Sequence, residues 1–172
     1  MRVLVTAASR HGTTAEIAEA IANVLRKATI DVDVIVPEAV ETVDPYDAVV
    51  LGSGVYAGHW LAPAKDFVER HEEGLRYRAV FLFSSGPIGD PPKPVEEPVD
   101  VAAIDTTTAA MDHRVFTGRL VEGDLSRAER IVAKVLRAPF GDFREWDDIE
   151  QWASEIARFV KAEESALTGV PD

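Results

Sequence analysis

The chain has 172 residues, of which 47% are hydrophobic and 28% charged, a composition that suits one globular domain with a sizeable core. The absence of cysteine excludes disulfides, thiolate metal sites and cysteine nucleophiles, and the formal net charge of −12 disfavours nucleic acid as a partner. No apolar run approaches the roughly 20 residues that span a bilayer, and no secretory leader pattern precedes the first apolar run. We therefore expect a cytoplasmic protein without a transmembrane segment.

The first half of the chain alternates short apolar runs with amphipathic segments. Within the first predicted helix, Ile17, Ile21, Val24 and Leu25 recur at helical spacing. A proline at position 63 suits the first turn of the second helix. The predicted elements are a strand at 2–7, a helix at about 13–27, strands at 32–36 and 48–53, a glycine-rich loop at 52–58, a helix from 63 to about 73, and a strand at 79–83.

The second half is less regular. A proline-rich loop over 84–98 leads to a weak helix near 101–111, where three consecutive threonines are poor helix formers. A strand is predicted at 114–120, followed by helices at about 126–137 and 147–162. We expect residues 1–162 to form a single domain and residues 163–172 to form a flexible tail.

Strands that alternate with helices predict an α/β fold with a doubly wound, five-stranded parallel sheet between two helical layers. Ligands of such folds bind outside the carboxyl ends of the strands, at the topological switch point. The unusual loops of this chain follow its first, third and fourth predicted strands. These loops should converge on one crevice.

The first of these loops has the composition of an anion site, and we call residues 9–14 the phosphate loop. It follows a strand and opens a helix, whose N-terminus offers unpaired N–H groups and a partial positive charge. Gly12 allows the backbone to close around an anion. The alternative is that Thr13 is only a helix N-cap and Ser9 only a turn residue. The candidate ligand-binding residues are Ser9, Arg10, His11, Gly12, Thr13 and Thr14.

The loops after the third and fourth predicted strands supply the other candidates. Tyr56 is the best candidate for stacking on a planar ligand, and Trp60 is a weaker one that packing at a helix start explains better. His113 has no obvious partner in the sequence, and His59 could transfer a proton or donate to a substrate but is better explained as a polar loop residue. The candidate cofactor-binding residues here are Ser53, Gly54, Val55, Tyr56, Ala57, Gly58, Ser84, Ser85 and Gly86.

The pattern Ser9-x-x-Gly12-x-Thr14 after a first strand resembles the FMN phosphate loop of flavodoxins. The segments 49–59 and 141–147 look like the branch of flavodoxin-domain proteins that includes menaquinone-dependent protoporphyrinogen oxidases. The resemblance implies non-covalent FMN as cofactor and the strand order 2-1-3-4-5. The chain departs from the family at Arg10 and His11, and the loop at 84–87 lacks the acidic and aromatic residues of electron-transfer flavodoxins.

Three functions fit these observations. The first is an FMN-dependent oxidoreductase acting on a small molecule or quinone, with protoporphyrinogen oxidation implied only by the resemblance. The second is an electron carrier for a partner redox enzyme, and the third is a non-catalytic binding module. Because the flavin would carry the chemistry, we expect no side-chain nucleophile and no metal, and no catalytic residue is assigned. The sequence does not indicate the oligomeric state.

The predicted helix at 126–137 runs against the charge of the chain. Arg127, Arg130, Lys134 and Arg137 line one side, beside an apolar stripe formed by Ala128, Ile131, Val132, Val135 and Leu136. The stripe either packs on the sheet or docks on a redox partner or a membrane surface.

Overall fold

The structure is a computed structural model that describes residues 1–86, 88, 97–135 and 138–169, without the side chains of Val132 and Thr168. The strands are β1 (Arg2–Ala8), β2 (Asp31–Val34), β3 (Ala48–Tyr56), β4 (His59–Trp60), β5 (Ala79–Ser85), β6 (Asp112–Phe116), β7 (Arg119–Leu120) and β8 (Gly141–Asp142). The α-helices are α1 (Thr13–Lys27), α2 (Ala62–Leu75), α3 (Val101–Thr108), α4 (Arg127–Val135) and α5 (Trp146–Thr168).

Five of the strands form one parallel sheet in the order β2-β1-β3-β5-β6. Counting only these five along the chain, the order is 2-1-3-4-5, so the predicted doubly wound α/β fold is confirmed. The long strands β1, β3 and β5 are buried along almost their whole length, as strands covered on both faces should be. The switch point lies between β1 and β3, the two strands whose crossovers run in opposite directions.

Each face of the sheet has its own apolar core. Alternate residues of the strands face opposite sides, so Val3, Val5 and Val50 pack with α1 and α5, while Leu4, Val49 and Leu51 pack with α2 and α3. The first core is rich in aromatic contacts, with Trp152 of α5 lying edge-on against Phe83 and Phe116. Two buried faces hold the sheet rigidly and so define the positions of the loops at its carboxyl edge.

The prediction of a glycine-rich loop at 52–58 is wrong, because β3 continues through most of this segment. The chain stays extended to Tyr56 because β3 pairs with β5 as far as Gly54 and Ser85, and then forms a hairpin with β4. The two residues of the hairpin turn, Ala57 and Gly58, have φ of 51° and 81°, the left-handed values that a tight two-residue turn requires. Ser53 to Tyr56 therefore belong to a strand, and only Ala57 and Gly58 form the turn.

The strand predicted at 114–120 is divided into two. β6 ends at Phe116, and after Gly118 the chain turns away so that Arg119 and Leu120 pair antiparallel with β8. The excursion between β7 and β8 carries α4 over the carboxyl edge of the sheet. The last helix continues to Thr168, so most of the segment that we expected to be a flexible tail extends α5.

The structure contradicts one of the two alternatives for α4, in which its apolar stripe packs on the sheet. Had its apolar stripe packed on the sheet, Ile131 and Val135 would be buried, but they are 65% and 75% exposed. Ala133, which was not assigned to the stripe, is buried instead. Residues 136 and 137, the end of the predicted helix, lie outside the described residues.

Candidate functional site

A cavity of about 510 Å³ opens at the carboxyl edge of the sheet, next to the switch point. Its volume lies within the range of small-molecule and cofactor sites, roughly 300–1,000 Å³. Ten of the candidate residues line it: Arg10, His11, Thr13, Thr14, Gly54, Val55, Tyr56, Ala57, Ser85 and Gly86. The loops after β1, β3 and β5 thus meet at one cavity, as their positions in the sequence predicted.

The phosphate loop turns directly into α1. Gly12 has φ of 83° and is the N-cap of the helix, where no side chain bonds to the first-turn N–H groups. Thr13 is therefore the first helical residue, which contradicts the alternative that it serves only as an N-cap. Thr14, at 3% exposed, presents its hydroxyl near Gly54 of β3. The helix N-terminus and two hydroxyl side chains consequently adjoin the cavity, a donor set suited to a phosphate.

Close backbone approach explains the glycines of the second and third loops. A Cβ at Gly54 would lie 3.1 Å from Thr14 Oγ1 and 3.2 Å from Tyr56 Cε2. A Cβ at Gly86 would lie 2.9 Å from Val55 Cβ. These positions hold the three loops together at the cavity, and larger residues would force them apart.

Tyr56 is the aromatic side chain of the candidate set at this cavity. The guanidinium of Arg10 lies 5.6 Å from its ring centroid, and the His11 ring lies 6.2 Å away. Partial burial raises the pKa of Tyr56 above its usual value, so the phenol is neutral at physiological pH. The ring is thus an apolar wall that also orients the cation of the phosphate loop.

The other five candidates, Ser9, Gly12, Ser53, Gly58 and Ser84, do not line the cavity. The Ser53 hydroxyl is buried, where it accepts a hydrogen bond from Leu61 N and donates to Gly54 O. The Ser84 hydroxyl is also buried and accepts from Trp60 Nε1 at 2.8 Å. Contrary to the prediction that they contact a cofactor, both hydroxyls stabilise the strand ends from inside.

His113 also differs from expectation, because it has partners. Its Nε2 lies 2.9 Å from Ser84 Oγ, and its Nδ1 lies 3.2 Å from the carboxylate of Glu97. Trp60 is 2% exposed, in agreement with its interpretation as a packing residue. The row from Trp60 through Ser84 and His113 to Glu97 links the core to the surface away from the cavity.

The segment from β7 to just beyond α4 supplies cavity residues that were not among the sequence-based candidates. Arg119 and Asp124 add charges, Glu129 faces the phosphate loop, and an apolar wall is formed by Leu120, Val121, Leu125, Ala128, Ala133 and Ala138. One signal was available: Ser126 and Glu129 have the Ser-x-x-Glu spacing of a capping box. The structure forms that box, with Ser126 N donating to Glu129 Oε2 at 2.8 Å and Glu129 N donating to Ser126 Oγ at 3.3 Å.

Arg144 anchors the segment before α5 to the first turn of α1. Its side chain is 3% exposed, binds both carboxylate oxygens of Asp142 and donates to Glu16 Oε2 at 2.6 Å. The guanidinium also lies 4.4 Å from the ring centroid of Trp146. Hydrogen bonds from Arg144 lower the pKa of both Glu16 and Asp142. This ion network fixes the helix turn that carries the phosphate loop.

The fold and the cavity define a doubly wound α/β domain with a cavity at its switch point. A family model described as a flavodoxin domain matches residues 4–145, and the chain belongs to that family. No curated protein matches it. In the part of the chain that the structure describes, no helix is long and apolar enough to cross a membrane.

Several solved structures share the fold. A flavodoxin from the domain Archaea has a TM-score of 0.66 at 19% identity, with 94% of this chain and 99% of that chain covered. A flavodoxin from Streptococcus pneumoniae has a TM-score of 0.61 at 22% identity, with coverage of 92% and 99%. Rubredoxin oxygen:oxidoreductase from Desulfovibrio gigas has a TM-score of 0.65 at 17% identity, and the match covers 95% of this chain but 37% of that one.

Proposed function

We propose that this chain binds FMN non-covalently in the cavity and is an FMN-dependent oxidoreductase acting on a small molecule or quinone. One observation carries the proposal: the phosphate loop and the ends of β3 and β5 line the same cavity. Family membership supports a flavin in that place. Bound FMN would supply the electron-transfer chemistry, while the protein supplies position and electrostatics.

The residues present fit FMN. First-turn N–H groups of α1 and the hydroxyls of Thr13 and Thr14 would hold the phosphate, and the cavity volume accommodates a ring system beside them. Tyr56 would flank one face of the ring, and backbone groups at Gly54 and Gly86 would meet its edge. Because the donors are compact and close to the helix end, we expect a monophosphate to fit better than the pyrophosphate arm of FAD.

The test is an absorbance spectrum of the purified protein, mass identification of any released flavin, and titration of the flavin-free protein with FMN and riboflavin. Charge-assisted hydrogen bonds contribute about 1.5–3 kcal/mol each, so riboflavin should bind at least tenfold more weakly than FMN. Equal affinities would refute the phosphate site. Turnover of a soluble acceptor by the loaded protein alone would support an enzyme, whereas dependence on a reductase and a protein acceptor would support a carrier.

One observation favours the carrier as a second candidate. The outward face of α4 combines exposed Ile131 and Val135 with Arg127 and Lys134, on a chain with a net charge of −12. Within the described residues Arg127 has no ion-pair partner. Lys134 makes a long ion pair, with 3.8 Å between its Nζ and Glu122 Oε1. Apolar side chains flanked by cations next to a cofactor cavity suit an acidic redox partner.

The docking face can be tested with Arg127→Gln and Lys134→Gln together. As the matched control, Arg158→Gln and Lys161→Gln remove two exposed cations from α5. Docking through α4 predicts slower electron transfer and a weaker salt dependence in the first variant alone, with FMN affinity unchanged. Equal rates of electron transfer in both variants would show that the α4 cations are only solvated. If the α4 variant instead loses binding to anionic vesicles, the partner is a membrane.

A further inference from the structure

A carboxylate of α4 lies against the side chains of Arg10 and His11 in the phosphate loop. Glu129 Oε1 is 3.2 Å from Arg10 Nη2 and 3.3 Å from His11 Nε2. All three side chains line the cavity. The ion pair therefore joins α4 to the loop at the place where a phosphate would arrive.

The same carboxylate has a second role in the helix itself. Its other oxygen accepts from Ser126 N as part of the capping box. The hydrogen bonds to Ser126, aided by Arg10 and His11, lower the pKa of Glu129 to about 2, so the group is ionised at neutral pH. The capping box thus fixes the negatively charged carboxylate of Glu129 beside the proposed phosphate position.

Among the side chains that the structure describes, few others attach α4. Ala133 is buried, but Ile131 and Val135 face solvent, and Lys134 makes only a long ion pair with Glu122. The contacts of Glu129 with Arg10 and His11 attach the helix directly to the phosphate loop. Any ligand that engages those two side chains must compete with Glu129.

We propose that Glu129 sets the charge selectivity of the site by competing with the ligand phosphate for Arg10 and His11, so that phosphate binding and the contact of α4 with the phosphate loop oppose one another. The inference rests on the proposed function. A phosphate brings up to two negative charges close to an ionised carboxylate, and repulsion between them weakens binding of FMN but not of uncharged riboflavin. Displacement of Glu129 then frees α4, the helix whose outer face carries the cations Arg127 and Lys134.

Glu129→Gln isolates the charge, because glutamine also completes a capping box. Coupling between sites typically changes affinity about 5–150-fold, so we expect FMN affinity to rise by at least fivefold in this variant. Riboflavin affinity should stay the same. Glu122→Gln makes the same change in charge on the same segment, outside the cavity lining, and should alter FMN affinity less than twofold.

Hydrogen exchange of the α4 amides gives an independent readout. In the parent protein FMN should speed exchange in residues 127–135, and in Glu129→Gln exchange should be fast with or without FMN. If FMN affinity is unchanged or falls in Glu129→Gln, the competition is refuted, and a fall would mean that Glu129 holds Arg10 and His11 in place for the ligand.

The two hypotheses fail in distinguishable ways. If the parent binds neither FMN nor riboflavin, the proposed function is wrong. The competition is then tested by hydrogen exchange of the α4 amides with inorganic phosphate as the ligand. If phosphate speeds this exchange in the parent but not in Glu129→Gln, the competition is supported. If phosphate has no effect on exchange in either protein, the competition is refuted.

Discussion

Replacing Arg144 with methionine tests whether the ion network before α5 stabilises the fold. The change removes three charge-assisted hydrogen bonds, two to Asp142 and one to Glu16, at 2.6–2.8 Å. Methionine keeps an apolar stem against Trp146. A fully buried pair that loses one partner costs about 3–5 kcal/mol, but the side chains of Glu16 and Asp142 are 45% and 43% exposed and can be rehydrated. We therefore expect a loss of about 2–3 kcal/mol, or about 4–12 °C in Tm.

The pH dependence of this loss identifies its cause. The folded-state pKa values of Glu16 and Asp142 are lowered mainly by Arg144, so their contribution to the free energy of unfolding is present above the unfolded values near 4. It is lost as the pH falls through the folded values. Urea unfolding at pH 7 and pH 3 should show a difference between parent and Arg144→Met that shrinks in acid. Arg158→Met, on the exposed side of α5, is the control, and a loss as large there, or one undiminished at pH 3, would refute the reasoning.

Four further substitutions test the site and the sheet. Gly12→Ala should lower the free energy of unfolding by about 1–2 kcal/mol, because alanine is strained at a φ of 83°. The new Cβ would make no clash, since its nearest neighbour is Glu16 Oε1 at 3.9 Å. Thermal unfolding measures the loss, and Gly123→Ala is the control that should have no effect. Thr14→Ala should weaken FMN binding by about tenfold or more without loss of stability, and an unchanged affinity would leave Thr14 a packing residue. Gly52→Ala should destabilise by about 1–3 kcal/mol, since its Cβ would lie 2.1 Å from Phe83 Cζ, and urea unfolding should show partial recovery when Phe83→Leu is added. Tyr56→Leu should shift the absorbance spectrum or the midpoint potential of the bound flavin. The control Tyr77→Leu, at a residue that is 82% exposed, should change neither.

Local patterns in the sequence were sufficient for the parts of the fold that depend on local structure. The bounds of α1 agree with the predicted 13–27, because its apolar periodicity begins and ends with the helix itself. The order of strands and helices along the chain predicted the parallel sheet and the edge where the loops meet. Extension of β3 to Tyr56 was not predictable in this way, because pairing with other strands continues it. One of these strands, β5, is distant in sequence, and the other, β4, follows β3 after a two-residue turn.

Two features of the site show where sequence patterns stop being informative. Ser84 and Ser85 are adjacent, and a strand points them to opposite faces, so only one can reach the cavity; the sequence does not say which. The periodicity of α4 correctly indicated an amphipathic helix, but not that the helix crosses the sheet edge with Ile131 outward. What covers an apolar stripe is a tertiary property. The Ser126–Glu129 capping box, by contrast, was readable from spacing alone.

The balance of charge around the cavity bears on how a strongly acidic protein can bind an anion. Each described cation near the phosphate loop is matched by a carboxylate: Arg10 by Glu129, Arg119 by Glu16 and Asp124, and Arg144 by Glu16 and Asp142. A phosphate would therefore gain little from unpaired positive charge. Its binding energy would come from the N–H groups of α1 and the hydroxyls of Thr13 and Thr14, whose dipoles act at short range and are screened less by salt than distant charges are. Glu129 differs from Glu16 and Asp142 because it pairs with Arg10 from inside the cavity, so its removal, unlike that of Glu16 or Asp142, should favour the ligand without loosening the turn that positions the loop.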